Sequence, residues 1–502
     1  MIDIQRTLVL GGCLALWFGV QAALFILTIL SYYKRDEYGS SVAFFGPGLA
    51  IAKASAVVIN LNLALMILSM CRLSLTMLNR FNILPCQYYK EMHKLSSMSV
   101  VLFSIIHSVA HYFNFAQIPT SWPRLAFLSG PGATGHVMWV LLLLAALTSI
   151  FKAVRRHSFE IFWYCHHAAF LFIKVACVHG AFCFVKRDFG KPCSGPTTWK
   201  WVVGPAALYI LEVIWREIDA QRFTFISKII IHQPSVFEIQ IKKPSFRFRA
   251  GEWVYLSCRS VSWLERHPFT LTSAPEDSHL SVHIRILGDW TRLLAKRLGI
   301  ELKGNEIIGY DPPNTFPNLL IVGPYGSACQ SFDGFEVVIC VGAGIGQTPF
   351  ASILRSLWYA LSHPYPELKL KKVLFYGISK DIQSMTWFLD VLRALERENK
   401  DALLELNIHI TGPLSDGQAM YLHLAQASRT KFDPITGLHS PTRFGRPNFR
   451  LLFAEWKTRF PLSAKKVGVF YCGPRALGKE LREMCGIFSG SAISFKFHQE
   501  TF

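Results

Sequence analysis

Residues 8–30 run for 23 positions without a charge, enough to cross the roughly 30 Å hydrocarbon core of a bilayer as one helix. In lipid the backbone must satisfy its own amides and carbonyls, so an isolated apolar segment of this length folds as an α-helix. Similar stretches lie at about 44–70, 95–115, 136–151, 159–184 and 201–215, which predicts six spans within roughly the first 215 residues. A cleaved signal peptide is the competing reading of the first run. Its length and the lack of a small-residue cleavage site favour a retained helix. The mean hydropathy of +0.30 averages this part with a remainder patterned as a soluble α/β protein. Six spans put both termini on one side, and the soluble half makes that side the cytosol. A mild excess of Lys and Arg agrees: Arg72, Arg80, Lys90, Lys152, Arg155 and Arg156 fall inside, against Lys186, Arg187 and Lys191 outside.

The net charge of +19 raises nucleic acid as a partner, but no basic helix or aromatic RNA-binding pattern is present. A lipid bilayer and an anionic nucleotide pocket account for it better. The 12 cysteines show no zinc spacing, and no acidic calcium loop occurs. Cys183 and Cys193 flank the last predicted outside loop, where a disulfide and two free thiols are both open readings.

Four histidines sit inside the apolar half: His93 and His107 in one stretch, His166 and His179 in another. An isolated imidazole is costly at membrane depth, so each must be paired, wet or metal-bound. On a helix His93 and His107 are separated by about 21 Å of rise and only about 40° of rotation, so they face one way near opposite leaflets. His166 and His179 are separated by a similar rise but about 140°, and His167 fits little better at about 120°. Spacing leaves His166 and His167 as alternatives, and demands either an irregular helix or side-chain reach. Two helices that each carry an upper and a lower histidine can clamp two haems. Bis-histidine ligation suits electron transfer because the iron keeps no open position. Interhelical hydrogen bonding is the plainer alternative for any single histidine.

From about residue 221 the pattern changes to short strands at 223–231, 236–241, 253–258 and 281–287, which predicts a small antiparallel barrel. His267-Pro268-Phe269-Thr270 begins a proline-punctuated segment whose hydroxyls and backbone suit a flavin edge, as a plain strand terminus would also look. His283 and Arg285 alternate onto one face of a strand, the guanidinium suiting a pyrophosphate. Gly288-Asp289-Trp290-Thr291 then opens a helix whose amides can meet phosphate. Further on, the unbroken apolar strand 336–341 runs into Gly342-Ala343-Gly344-Ile345-Gly346-Gln347-Thr348-Pro349 and a helix at 351–361. Strand, glycine turn and helix are the context of a nucleotide-phosphate loop. Strands at 372–376 and 467–471 complete a doubly wound pattern. The second ends at Cys472, which either faces a nicotinamide or is a buried core thiol.

The segments His93-Lys94-Leu95, Ile106-His107-Ser108-Val109-Ala110-His111, Phe162-Trp163-Tyr164-Cys165-His166-His167 and Val178-His179-Gly180 resemble the NADPH oxidase family of transmembrane haem proteins, within the ferric-reductase-like group. The resemblance covers essentially the whole chain. It implies a transmembrane di-haem domain at 1–220, a β-barrel FAD domain at 221–330 and a Rossmann-like α/β NADPH domain at 331–502. It implies haem b ligation by His93 with His166 and by His107 with His179, choosing His166 over His167. FAD would be held by His267, Pro268, Phe269, Thr270, His283, Arg285 and Thr291, with Phe502 stacked on the flavin. NADPH would lie on Gly342, Gly344, Gly346, Thr348 and Pro349, with Cys472 at the nicotinamide and Arg446, helped by Lys380, on the 2′-phosphate.

The implied reaction passes electrons from cytosolic NADPH through FAD and the haems to dioxygen, giving superoxide. A ferric or cupric reductase on the same electron path is the alternative. A channel with a regulatory domain fits poorly with the flavin and nucleotide motifs. Relatives of this compact form are switched on by cytosolic organisers and a Rac-type GTPase, sometimes with a small membrane subunit. The basic segment 72–94 is a candidate surface for them, although positive-inside charge explains it better. Two more residues suggest where dioxygen would be reduced. His111 lies one turn beyond His107 on the same face, and Lys53 is the lone charge in its apolar stretch, where the family commonly has arginine. Such a cation can stabilise superoxide, hold a haem propionate, or snorkel to the headgroups.

Overall fold

The computed structural model describes residues 2–80, 89–182, 187–189, 195–232, 234–263, 265–362, 370–398, 403–413, 431–460 and 466–500. Phe502, Cys183 and Cys193 lie outside the described residues. Contacts divide the chain into two units, Met1–Ile214 and Trp215–Phe502.

The first unit is built on long helices: α1 (Ile2–Lys34), α2 (Pro47–Leu68), α3 (Tyr89–Ala116), α4 (Gly130–Ile150), α5 (Phe159–His179) and α6 (Thr198–Ala220). Local sequence sets their starts. Pro47 occupies the first turn of α2, where a missing N–H costs nothing. Ser129 caps α4 by accepting from Gly132 N at 3.2 Å. Large apolar side chains such as Leu16, Leu102, Leu144 and Leu171 point outward, the pattern of a lipid-facing surface. Among the described residues the first five of these helices are long and apolar enough to span a bilayer. α6 matches them in length but carries Lys200, Glu212, Arg216, Glu217 and Asp219. Inside the bundle, polar groups tie helices together. Asn62 Nδ2 donates to Gln21 Oε1 at 2.9 Å and to Ser99 Oγ at 3.1 Å, joining α2 to α1 and α3. The Glu212 carboxylate accepts from Leu73 N at 3.0 Å and Ser74 N at 3.1 Å, capping the short helix Arg72–Arg80.

The second unit begins with β1 (Phe225–His232), β2 (Val236–Lys242), β3 (Trp253–Cys258), β4 (His267–Thr270), β5 (Leu280–Arg285), helix α7 (Asp289–Arg297), the hairpin β6 (Ile300–Lys303) and β7 (Glu306–Tyr310), and β8 (Leu319–Tyr325). Two three-stranded antiparallel sheets, ordered β1-β2-β5 and β4-β3-β8, face each other and are stitched by a bridge between Leu271 and Val282. Phe237, Ile239, Val254, Leu256, Ile284 and Ile321 fill the space between them.

A parallel sheet follows, formed by β9 (Val337–Ala343), β10 (Lys372–Ser379), β11 (Leu404–Ile410), β12 (Thr442–Phe444), β13 (Lys466–Cys472) and β14 (Ser494–Glu500) in the order β12-β11-β10-β9-β13-β14. Helices α8 (Thr348–Ser362) and α9 (Thr386–Glu398) cover one face with Phe350, Leu354 and Phe388. α10 (Phe449–Arg459) and α11 (Arg475–Phe488) cover the other with Phe453, Trp456 and Leu481. The chain winds outward from β9 to β12, then returns to place β13 on the other side of β9. Strand order therefore reverses between β9 and β13, and the carboxyl ends of that pair open the crevice where doubly wound sheets bind ligands.

Candidate functional site

α3 and α5 present their histidines to each other in pairs. The imidazole centroids of His93 and His166 are 6.1 Å apart, and those of His107 and His179 are 6.2 Å apart. A metal held at about 2 Å by one nitrogen of each ring sets the centroids roughly 6 Å apart. Every Nδ1 in the four rings has a partner: Ser69 Oγ at 3.0 Å from His93, Ser149 Oγ at 3.0 Å from His166, Ala52 O at 2.9 Å from His107, and Thr134 Oγ1 at 2.7 Å from His179.

These partners fix the tautomer. Ser69 Oγ gives its own proton to Met66 O at 2.6 Å, Ser149 Oγ to Ala145 O at 2.6 Å, and Thr134 Oγ1 to Gly130 O at 2.8 Å. Each hydroxyl has thus spent its hydrogen and can only accept from the ring, as the Ala52 carbonyl must. All four Nδ1 atoms carry the proton, and all four Nε2 lone pairs are left for the gap between the rings. This is the outer shell that metal-bound histidines require. Ser69, Ser149 and Thr134 were not singled out from sequence. The readable signal was a hydroxyl in an apolar helix at the depth of a histidine.

α5 is helical throughout, so side-chain reach rather than a helix irregularity absorbs the angular mismatch between His166 and His179. His167 turns away: its Nδ1 lies 2.6 Å from Trp163 O, its ring rests 4.0 Å from that of Trp163, and it is exposed.

His111 packs against His107, with centroids 4.6 Å apart. Lys53 directly follows Ala52, the residue whose carbonyl lies 2.9 Å from His107 Nδ1. An open pocket is lined by His107, His179, Asn60, Ser104, Gly135 and Trp139.

In the barrel, β4 pairs with β3 in the register Trp253–Thr270 through Leu256–His267. Alternation sends His267 and Phe269 to one side, where the His267 ring stacks on Trp290 at 4.2 Å and Phe269 lies at 6.1 Å. His267 Nε2 is 2.9 Å from Glu265 Oε2. Pro268 and Arg285 are exposed, and Thr270 is buried. Two expected flavin contacts are engaged within the barrel itself. Thr291 Oγ1 accepts from Leu287 N and Gly288 N, each at 3.1 Å, and donates to Gly288 O, which caps α7. His283 is buried, with Nδ1 at 2.8 Å from Thr272 Oγ1.

The crevice of the parallel sheet gathers the second group. Cys472 pairs with Gly342 across β13 and β9. Gly344 takes φ +59, a conformation that favours glycine, and a Cβ on Gly346 would lie 2.3 Å from Cys472 O. The glycine turn thereby meets the end of β13, and Thr348 and Pro349 start α8, buried behind it. Burial, with the Glu500 carboxylate adding to it, pushes the Cys472 thiol up to about 12. The residue is therefore a neutral thiol rather than a nucleophile. Lys380 directly follows β10, and Arg446 stands two residues past β12; both are exposed. β10 and β12 flank β11, with Ser379 opposite Ile410 and Ile410 opposite Phe444, so both cations sit at the same edge of the sheet.

Three family profiles match the chain: a ferric reductase like transmembrane component over 55–177, an FAD-binding domain over 223–329 and a ferric reductase NAD binding domain over 335–486. NADPH oxidase 1 of Mus musculus is 33% identical over 97% of this chain and 92% of its own length. NADPH oxidase 3 of Homo sapiens is 32% identical over 97% of each chain. A superoxide-generating NADPH oxidase heavy chain of Dictyostelium discoideum is 35% identical over 91% of this chain and 69% of its own length. The protein is thus an integral membrane protein with FAD-binding and nicotinamide-nucleotide-binding domains. By its similarity to relatives along nearly its full length, the chain belongs to the NADPH oxidase family.

Proposed function

We propose that the protein oxidises cytosolic NADPH and carries the electrons across the membrane to dioxygen, releasing superoxide. The observation that carries this reading is the pair of facing histidine couples, 6.1 and 6.2 Å between centroids, with every Nδ1 proton already engaged. When bound, FAD would take one hydride and release its two electrons singly, and haems held between the paired histidines would relay them. The chain's own part is to hold and orient. His93 with His166, and His107 with His179, supply four neutral nitrogens for two haem b groups. His267, Pro268, Phe269 and Arg285 form the flavin-side surface of the barrel, with Thr270, His283 and Thr291 supporting it from within. Phe502 would add a ring over the flavin. Gly342, Gly344, Gly346, Thr348 and Pro349 let the NADPH pyrophosphate approach the backbone, and Cys472 closes the nicotinamide end. Six spans with both termini cytosolic fit this direction of flow. Control by cytosolic organisers, a Rac-type GTPase and a small membrane subunit is carried over from the family resemblance.

Absorption and paramagnetic resonance test the carrier. The purified protein should hold about two haems per chain in a low-spin, six-coordinate ferric state. A five-coordinate high-spin signal, or no haem, would refute the histidine assignment.

Two side-chain predictions follow from the same geometry. Arg446→Ala should narrow the NADPH to NADH ratio of kcat/KM by about tenfold or more, since a guanidinium on a phosphate is a charge-assisted contact of some 1.5–3 kcal/mol. An unchanged ratio would move the selectivity elsewhere. Lys53→Met and His111→Leu should each keep both haems and FAD yet slow superoxide formation severalfold. Full rates in both, with normal haem spectra, would remove these residues from the oxygen site, and loss of a haem would make them structural.

A further inference from the structure

The barrel holds another set of metal-ligating side chains, one of which, His283, also stands behind the proposed flavin surface. β1 ends in His232, β2 contributes Glu238 and β5 contributes His283, with Glu238 directly opposite His283 in the register. Residue parity puts all three side chains on one face of the β1-β2-β5 sheet. His232 Nε2 lies 3.5 Å and His283 Nε2 3.6 Å from the same oxygen, Glu238 Oε2, and the three donor atoms fall within 4.8 Å of one another. These separations are too long for hydrogen bonds. Among the described residues neither Nε2 has a hydrogen-bond partner, although the His283 side chain is only 6% exposed. A buried nitrogen left without a partner costs about 1–3 kcal/mol, which calls for an occupant. Tetrahedral ligands at about 2.0–2.1 Å from a metal stand roughly 3.4 Å apart, close to the observed edges.

The remaining atoms of the set are already oriented as an outer shell would orient them. Glu238 Oε1 accepts from Gln240 Nε2 at 3.0 Å, which leaves Oε2 for the shared point. His283 Nδ1 meets Thr272 Oγ1 at 2.8 Å, and that hydroxyl is 2.8 Å from Ser281 Oγ. The Trp387 ring, at the start of α9, packs 4.2 Å from the His283 ring and shields it. His232 is 16% exposed, the most open side chain of the three.

We propose that His232, Glu238 and His283 form a divalent metal site, selective for zinc, with water as the fourth ligand. The ion would clip β1, β2 and β5 together beneath Trp387.

Zinc chloride is the probe. The full-length protein, with its haem and flavin bound, is stripped with a chelator and equilibrated with zinc against a chromophoric competitor. Elemental analysis should then find about one zinc per chain beside the haem iron. His232→Ala, at a partly exposed position, and the near-isosteric Glu238→Gln should keep bound flavin but weaken zinc binding at least about tenfold. His439→Ala, an exposed histidine elsewhere, should leave it unchanged. X-ray absorption at the zinc edge of the unmutated protein should report nitrogen and oxygen ligands at about 2.0 Å and no sulfur. Absence of retained zinc, undiminished binding in both variants, or sulfur ligation would each overturn the proposal.

Discussion

Replacing His166 by Leu is expected to remove one haem and to abolish NADPH-driven superoxide formation, while flavin and the other haem stay bound. His166 faces His93 across 6.1 Å, and its Nδ1 proton is anchored on Ser149, which leaves its Nε2 lone pair for that gap. Its neighbour cannot take its place. His167 is held on the outside of α5 by Trp163 O at 2.6 Å and by the Trp163 ring. Loss of an outer-shell partner costs 10–100-fold in metal affinity, so loss of the ligand itself should exceed about a hundredfold. The haem content, read as the pyridine haemochrome, should fall from about two to about one per chain. His167→Leu should retain both. The reverse outcome would exchange the roles of the two histidines, and retention of both haems in both variants would end the assignment.

Gly346→Ala should disable nicotinamide use with the membrane half intact. A methyl group at this position would lie 2.3 Å from Cys472 O, 2.6 Å from Cys472 C and 2.9 Å from Gly473 N. All three are backbone atoms of the β13 end, which the sheet holds in place through its pairing with β9 and β14. The clash can be relieved only by moving the glycine turn away from β13, the two sides of the crevice. Overpacking of this kind costs about 1–3 kcal/mol. The KM for NADPH should rise at least about tenfold, or turnover should vanish, while dithionite still reduces normal amounts of flavin and haem. Gly334→Ala is the control, because a Cβ there meets nothing within 4 Å. Wild-type NADPH kinetics in Gly346→Ala would show that the turn does not need its contact with Cys472.

Much of the membrane half is readable from sequence because lipid leaves the backbone few options. Each apolar run lies on one helix, although α1, α3 and α4 each begin six residues before the run. The charged helix α6 is the least legible of the six, since Lys200, Glu212, Arg216, Glu217 and Asp219 interrupt its apolar pattern. The histidine pairing was less accessible. Ideal helix angles left His166 and His167 open, and the choice turns on side-chain reach and on Ser149, which no periodicity displays. In the parallel sheet β9, β10 and β13 stand out as unbroken apolar strands, whereas β12 is three residues long and β14 alternates polar and apolar positions. Edge strands of that kind lack the double-sided burial that marks central ones. Thr291 carries a different lesson. A hydroxyl three residues into a helix is as well suited to capping as to phosphate, and Thr291 Oγ1 caps α7.

The most direct test of the account is the acceptor. The purified protein, reconstituted in lipid vesicles with haem and FAD and given NADPH and dioxygen, should reduce external cytochrome c in a reaction abolished by superoxide dismutase. Roughly two superoxide equivalents should form per NADPH, as single-electron release of the two electrons of one hydride requires. NADPH oxidation that is indifferent to superoxide dismutase and proceeds only when a ferric or cupric chelate is supplied would contradict it.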